Sequence, residues 1–284
     1  MNPNVAWLAA ELSGSRWRAF EWVASTGSTN ADLAAAWRSG AADGRVLVAD
    51  HQTDGRGRFD RSWTAPPGAM VALSVLVRPQ TDELTRWAWL PLVAGLAVAA
   101  ALRDAVGVAA SLKWPNDVLV SSSARAALDD AGNMAGARGG VGVAPHFHDG
   151  EKKICGILAE RVVGPSGAAI VLGMGVNTAM TPEQAPVERA TSLAMVGASS
   201  DPRPVVAAVL RQLDAWLDRW ESGADLVVPY KQACSTIGRE VRVLVGPDGS
   251  VEGRAVGVDS DGHLLVDTPD GQRTFAAGDV WHLR

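Results

Sequence analysis

Two apolar runs joined by a turn constrain this chain more than any other feature. Lys152 to Val162 and Ala168 to Asn177 are rich in Ile, Val and Leu, and Gly164-Pro165-Ser166-Gly167 connects them. Runs of this kind, bounded by turn residues, predict an adjacent antiparallel pair of central strands. Gly173 and Gly175 interrupt the second run, which in a strand marks either a bulge or the close approach of a ligand.

Other elements fall around that pair. Strands are expected over Trp17 to Val23, Val46 to Ala49 and Met70 to Val77, and as two short pieces within Ser111 to Val120, joined by a proline bend. Helices are expected over Leu33 to Trp37, as one long buried helix over Glu83 to Val106, and from the Asp201-Pro202 cap to Ser222-Gly223, with a shorter one within Ala224 to Cys234. Val206, Leu210, Leu213, Leu217 and Trp220 recur at helical spacing and read as core. From Gly238 the pattern changes. Val241, Val243 and Val245 alternate on one expected face, and turns at Pro247-Asp248-Gly249, Asp261-Gly262 and Pro269-Asp270-Gly271 space several short strands. That pattern predicts a small β-barrel forming a separate module. The chain therefore reads as two units, 1–235 and 236–284.

With 284 residues and 47% hydrophobic content, both units can be filled. A net charge of -5 argues against a nucleic-acid-binding body, so local basic loops read as sites for small anions. Cys155 and Cys234 are the only cysteines; they suggest neither a disulfide framework nor a zinc site and suit a reducing cytoplasm. Met1 to Gly14 lacks the pattern of a signal peptide. The longest apolar run, Trp87 to Leu102, is shorter than a bilayer span, contains Pro91 and lies between Arg86 and Arg103, as a core helix would. Ser121 to Glu151, rich in Ala, Gly, Ser and Asp, reads as a mobile insertion in which His146 and His148 are an incidental pair.

Chemistry concentrates at three places. Asp50 to Trp63 leaves a strand carrying Gly55 and Gly57, which let a ligand approach the backbone, and Arg56, Arg58 and Arg61, whose planar forks suit carboxylate and phosphate oxygens. A solvated basic turn is the plainer reading. At the bend, Lys113, Asn116 and Asp117 are either an ordinary turn or a set that neutralises and orients phosphates. Ser28, Thr29 and Asn30 either cap the helix that follows or bind a polar ligand head.

Taken in order, Gln52 with Gly55-Arg56-Gly57-Arg58, then Lys113-Trp114-Pro115-Asn116-Asp117, then Lys153-Ile154-Cys155-Gly156-Ile157-Leu158 resemble the three main motifs of biotin protein ligases. Ser28-Thr29-Asn30, Gly173 to Asn177 and the C-terminal barrel extend the resemblance from about Arg18 to the end. It implies an α+β fold, with a class II synthetase-like, lipoate-ligase-like catalytic domain of mixed sheet and flanking helices and a small SH3-like barrel. It also implies the reaction of biotin and MgATP to biotinyl-5'-adenylate and pyrophosphate, followed by transfer to a lysine of a biotin carboxyl carrier domain of an acyl-CoA or pyruvate carboxylase.

Residue roles carry over by position. The resemblance implies that Ser28, Thr29, Gln52 and Arg56 surround the ureido ring and that Gly156 lines the sulfur-ring pocket, with Asn30, Gly55 and Gly57 also among the binding residues. Arg58 and Lys153 bind the carboxylate and the α-phosphate, Arg61, Lys113 and Asn116 face pyrophosphate, Trp63 packs by the closed loop and Asn177 lies near the nucleotide. Asp117 orients Lys153, the phosphates or the incoming lysine. No residue is assigned to a metal. The loop, whose like charges have no obvious internal partner, is expected to be disordered until biotin or the adenylate orders it.

The chain departs from the family pattern in places. Its core motifs begin by residue 28, leaving no room ahead for a helix-turn-helix domain, so no DNA partner is expected, nor a membrane; the protein is expected to be a cytoplasmic monomer or weak homodimer. Arg189-Ala190-Thr191-Ser192 stands where some relatives place a tryptophan over adenine, and Cys155 replaces a commoner alanine. Three rival readings stay open: a lipoate ligase, a non-enzymatic module whose barrel docks protein or RNA, and a biotin-storing relative.

Overall fold

The computed structural model describes residues 2–80, 83–121, 150–245 and 249–283. The expected insertion, its two histidines and most of the Pro247-Asp248-Gly249 turn lie outside the described residues.

The two defining runs form β6 (Glu151–Gly164) and β7 (Gly167–Asn177), paired antiparallel from Cys155–Val176 to Gly164–Gly167. Outward from β7 lie β3 (Met70–Val77), β2 (Arg45–Ala49) and β1 (Ala19–Val23); outward from β6 lie β5 (Asp117–Ser121) and β4 (Ser111–Lys113). Within this seven-stranded sheet only β1 and β2 run parallel, linked over one face by α2 (Thr29–Arg38). All eight residues of β3 are buried, as expected of a strand covered on both faces. Val71, Leu73, Val75 and Val77 face α3 (Leu90–Val106) and α4 (Pro202–Glu221), while Leu47, Leu76, Val162 and Val171 pack on Leu33, Ala34 and Trp37 of α2.

Two expectations need correction. Glu83 to Val106 is not one helix: Leu84–Trp89 is a 3-10 turn, and α3 begins at Leu90 with Pro91 in its first turn, because proline fits a helix start and not its interior. A helix is also present where none was expected, α1 (Pro3–Glu11), capped by Asn2 and burying Leu8. The Asn2-Pro3 pair was the available signal.

Beyond α5 (Val227–Ala233), the strands β8 (Glu240–Val245), β9 (Gly249–Val258), β10 (Leu264–Thr268), β11 (Gly271–Phe275) and β12 (Asp279–His282) form a five-stranded antiparallel sheet in the order β11-β10-β9-β8-β12, the SH3-like unit. Val241 and Val243 are buried in it but Val245 is exposed, so the expected alternation stops one residue pair early. The unit has its own sheet and docks on the rest. Its Val241, Val266 and Phe275 belong to one continuous core with α3 and α4, and Trp89 Nε1 and Trp114 Nε1 donate to Ser260 O (2.7 Å) and Gly262 O (3.1 Å). Buried indole N–H groups need acceptors, and the barrel turns supply them.

Candidate active site

A cavity of about 690 Å³ opens between the α2 face of the sheet, the 113–117 bend and β12. Every expected site residue except Gly55 lines it. Gly55 serves the loop itself: a Cβ there would sit 2.3 Å from Trp63 O. Trp63 N donates to Gly55 O (2.8 Å) and Gly57 N to Arg61 O (2.7 Å), so the loop closes on itself and turns through Phe59, an exposed residue at φ 54.

The charges of this loop do have internal partners, contrary to expectation. Arg58 donates to Asn116 Oδ1 (3.3 Å) and Gly278 O (3.1 Å), Arg61 pairs with Asp279, and Arg56 lies 3.7 Å from Asp54. Asp54 belongs to the loop itself, but Asn116 comes from the bend and Gly278 and Asp279 from the start of the last barrel strand, partners that sequence proximity does not reveal.

At the bend a cis Trp114-Pro115 bond turns the chain, and Trp114 is buried. Asn116 is pinned to β6 from both sides, donating from Nδ2 to Ile157 O (3.1 Å) and accepting on its carbonyl from Ile157 N (2.9 Å). Burial depresses the Lys113 ammonium below its ordinary pKa, as do Arg189 and Lys153, while Asp117 opposes the shift. Arg58 is likewise depressed by burial against the pull of Asp279 and Asp117. These cations are short of negative charge, which a bound anion would supply. Lys153 Nζ reaches Asp117 Oδ1 at 2.5 Å and lies 4.9 Å over the Trp63 ring.

The opposite wall is polar. Ser28 caps α2, accepting from Ala31 N (3.4 Å), so the capping expectation holds for that residue. Thr29 N and Oγ1 meet Gln52 Oε1 at 2.8 and 2.9 Å, and Asn30 Nδ2 reaches Glu160 Oε2 at 2.7 Å. The strand glycines are not bulges, since the register of β7 runs through both without a shift. Their close neighbours are side chains: a Cβ at Gly173 would lie 2.3 Å from Asn30 Oδ1 and one at Gly175 2.5 Å from Trp63 Nε1. Gly156 is paired with Gly175 and would place a Cβ 3.1 Å from the same indole. The two glycines thus form a flat floor under Trp63, whose Nε1 is buried with no hydrogen-bond partner. Asn177 Nδ2 donates to Thr191 O (2.9 Å) at the far end. Cys155 is enclosed, and burial pushes its thiol up to about 12, which removes it as a nucleophile.

The Biotin/lipoate A/B protein ligase family profile matches residues 22–177, and that of the Biotin protein ligase C terminal domain matches residues 236–283. A biotin–[acetyl-CoA-carboxylase] ligase of Mycobacterium tuberculosis is 40% identical over 96% of this chain and 92% of its own length. The chain belongs to the biotin protein ligase family. A further biotin–[acetyl-CoA-carboxylase] ligase, from Paracoccus denitrificans, is 31% identical over 91% of this chain and 98% of its own. Among solved structures, the biotin protein ligase of Aquifex aeolicus in complex with biotin and ATP superposes with a TM-score of 0.70 at 26% identity, covering 94% of this chain and all of that one.

Residues outside the motifs line the cavity as well, among them Arg189 after β7, and Arg239, Asp279 and His282 from the barrel side. Arg239 pairs with Glu151 at 3.0 Å, and His282 lies 3.0 Å from Thr236 Oγ1. Arg239, Asp279 and His282 reach the cavity through docking of the barrel, to which local sequence gives no clue. Among the described residues no group of three His, Cys, Asp or Glu could hold a metal ion.

Proposed function

We propose that the protein is an ATP-dependent biotin protein ligase acting on a carrier domain of an acyl-CoA or pyruvate carboxylase in the cytoplasm, with 1–235 as its catalytic unit and 236–284 as its barrel. Biotin's carboxylate oxygen attacks the α-phosphorus of ATP; the bond to the β-phosphate oxygen breaks and pyrophosphate leaves. A neutral carrier lysine then attacks the acyl carbon, losing a proton, and AMP departs. The observation that carries this reading is the convergence of Arg58, Lys113 and Lys153 on one cavity whose other wall is neutral and hydrogen-bonding. Such a division suits a substrate with an uncharged polar head and an anionic tail beside a polyphosphate.

In this reading Ser28, Thr29, Gln52 and Arg56 receive the ureido head, and Gly156 receives the sulfur ring once the Trp63 indole yields the floor it covers. Arg58 and Lys153 bring the carboxylate and α-phosphate together, two anions that repel without them, and the same cations stabilise the charge that builds at phosphorus. Asp117, 2.5 Å from Lys153 Nζ, holds that ammonium in place. Arg61, Lys113 and Asn116 face the pyrophosphate and Asn177 the nucleoside. Magnesium would be held chiefly by the phosphates of the nucleotide and by water, and would supply charge neutralisation there; among the described residues no group of three His, Cys, Asp or Glu could hold it instead.

The test is biotin-dependent exchange of labelled pyrophosphate into ATP, with lipoate in parallel and Lys153→Ala as control. Exchange with biotin alone, lost in the variant, is expected; exchange with lipoate instead would reassign the substrate.

A further inference from the structure

In the ligase reading the cavity walls hold two substrates, while the third, a lysine on a folded domain, has to enter from outside. Lysine carries its amine on a four-carbon stem. That is too short to reach an acyl group held between Arg58 and Lys153 unless the surface around the lysine presses on the cavity mouth.

A side chain that lines the cavity and keeps more than half of its surface open to solvent stands at that mouth. Val187, 60% exposed, and Trp281, 54% exposed, both do so. Phe59, exposed between the lining residues Arg58 and Arg61, has their guanidinium carbons 4.9 and 5.9 Å from its ring. Half of the six large hydrophobic side chains exposed among the described residues thus surround one opening, and such a cluster marks an interaction surface where scattered ones would not. Two of the three are held in place. Ala190 N donates to Val187 O (2.9 Å) in the segment that takes Lys153 N on Arg189 O, and Trp281 is paired with Arg242 across β12 and β8. A preformed apolar rim costs little ordering when a partner binds.

Charge points to the same occupant. Seven cationic side chains line the cavity against three carboxylates, Asp117, Glu151 and Asp279. Pyrophosphate removes most of the compensating charge when it leaves, and the adenylate keeps a single phosphate. The partner of the second step therefore meets a cationic opening, with Arg56, Arg61 and Arg189 exposed around it. A surface that presents carboxylates beside its lysine complements it.

We propose that Phe59, Val187 and Trp281 form the docking rim for the carrier domain, receiving apolar side chains beside its acceptor lysine while Arg56 and Arg189 face its carboxylates. This rests on the ligase reading and deepens it, since it assigns a surface used only in the transfer step.

The test separates transfer from activation. Transfer is measured with biotinyl-5'-adenylate in place of biotin and ATP, and with the apo carrier domains of an acyl-CoA carboxylase and a pyruvate carboxylase as acceptors. Trp281→Ser is expected to raise the KM for the carrier about ten- to thirtyfold, as loss of an interfacial tryptophan anchor does, and Val187→Ser about threefold. Pyrophosphate exchange should stay within twofold of the parent, as should enzyme-dependent formation of biotinyl hydroxamate from biotin, MgATP and hydroxylamine, a nucleophile too small to need the rim. Val187→Ser lies on a different element and carries the test should Trp281→Ser fail to fold. Raising the salt concentration should raise the same KM severalfold, and a KM that salt leaves unmoved would mean that the partner's face is not acidic. A carrier KM unchanged in both variants, or losses equal for carrier and hydroxylamine, overturns the docking rim while leaving adenylate formation intact. So does a parent protein that exchanges pyrophosphate but transfers to neither carrier. Absence of exchange in the parent overturns the ligase reading and the rim with it.

Discussion

Lys153 and Gly156 face the same cavity although they are three residues apart on one strand, a spacing that alternation assigns to opposite faces. The register explains it. Leu119 pairs with Lys153 and Val118 with Cys155, so Ile154 is an extra residue, and both Ile154 and Cys155 turn into the core. This bulge releases the Lys153 backbone to the segment after β7, where Lys153 N donates to Arg189 O (2.6 Å) and Thr191 N to Lys153 O (2.9 Å). A structural irregularity thus aims Lys153 at Asp117 and at the cavity.

Lys153→Ala is therefore expected to lower pyrophosphate exchange by roughly 10²–10³-fold, the cost of deleting one preorganised charge at a developing anion. Asp117→Asn leaves the ammonium in place but loosens its aim, and a smaller fall, about tenfold, is expected. Exchange rates at saturating biotin and MgATP measure both. Equal losses in the two variants would give Asp117 a direct part in the chemistry.

Gly173 and Gly175 test how rigid each glycine's neighbour is. An added methyl at Gly173 meets Asn30, which is buried and held by Glu160, Leu158 and Ser74; one at Gly175 meets Trp63, carried on a loop that can shift. Gly173→Ala is expected to cost roughly 1–3 kcal/mol, as overpacking of a fixed core does, and Gly175→Ala less. Thermal unfolding of the two variants checks the order, and the reverse order would refute the account.

Much of this was legible in the sequence because the central strands are buried on both faces and announce themselves as unbroken apolar runs; β3, β6 and β7 fall close to where composition puts them. The motif residues came together because loop, bend and strand all lie at the same end of the strands of that sheet. The illegible parts depend on distant packing. Nothing near Asp279 or His282 marks them as cavity residues, since docking of the barrel brings them there. The bulge at Ile154 needs the segment at 189–191 to receive the freed backbone groups. Ser74 and Glu160 sit inside strands, where a polar residue gives no sign of which helix will meet it.

The Arg61–Asp279 pair ties the loop to the barrel, yet Arg61 remains 64% exposed, so its contribution to global stability should stay below about 1 kcal/mol. Its effect is expected to be local. Asp279→Asn should speed tryptic cleavage after Arg58 and Arg61 with little change in melting temperature, and saturating biotin with MgATP should slow cleavage in both proteins. Cleavage that neither the substitution nor the ligands alter would mean that the loop is held by other contacts.

His282 provides a pH signature for barrel docking. Burial, joined by Lys113, Arg239 and Arg189, lowers its pKa from 6.5 to about 3. The folded protein therefore holds it neutral where the unfolded chain protonates it. As pH falls below 6.5 the unfolded state binds a proton that the folded state refuses, so stability present above that point is lost progressively until about pH 3, where the folded form protonates as well. Replacing the imidazole by a group that does not titrate but can still meet Thr236 Oγ1 removes this dependence. Melting temperatures measured from pH 7.5 to pH 4 should fall more steeply for the parent than for His282→Gln; parallel curves would show that His282 is solvated and that the barrel does not close over Lys113 as described.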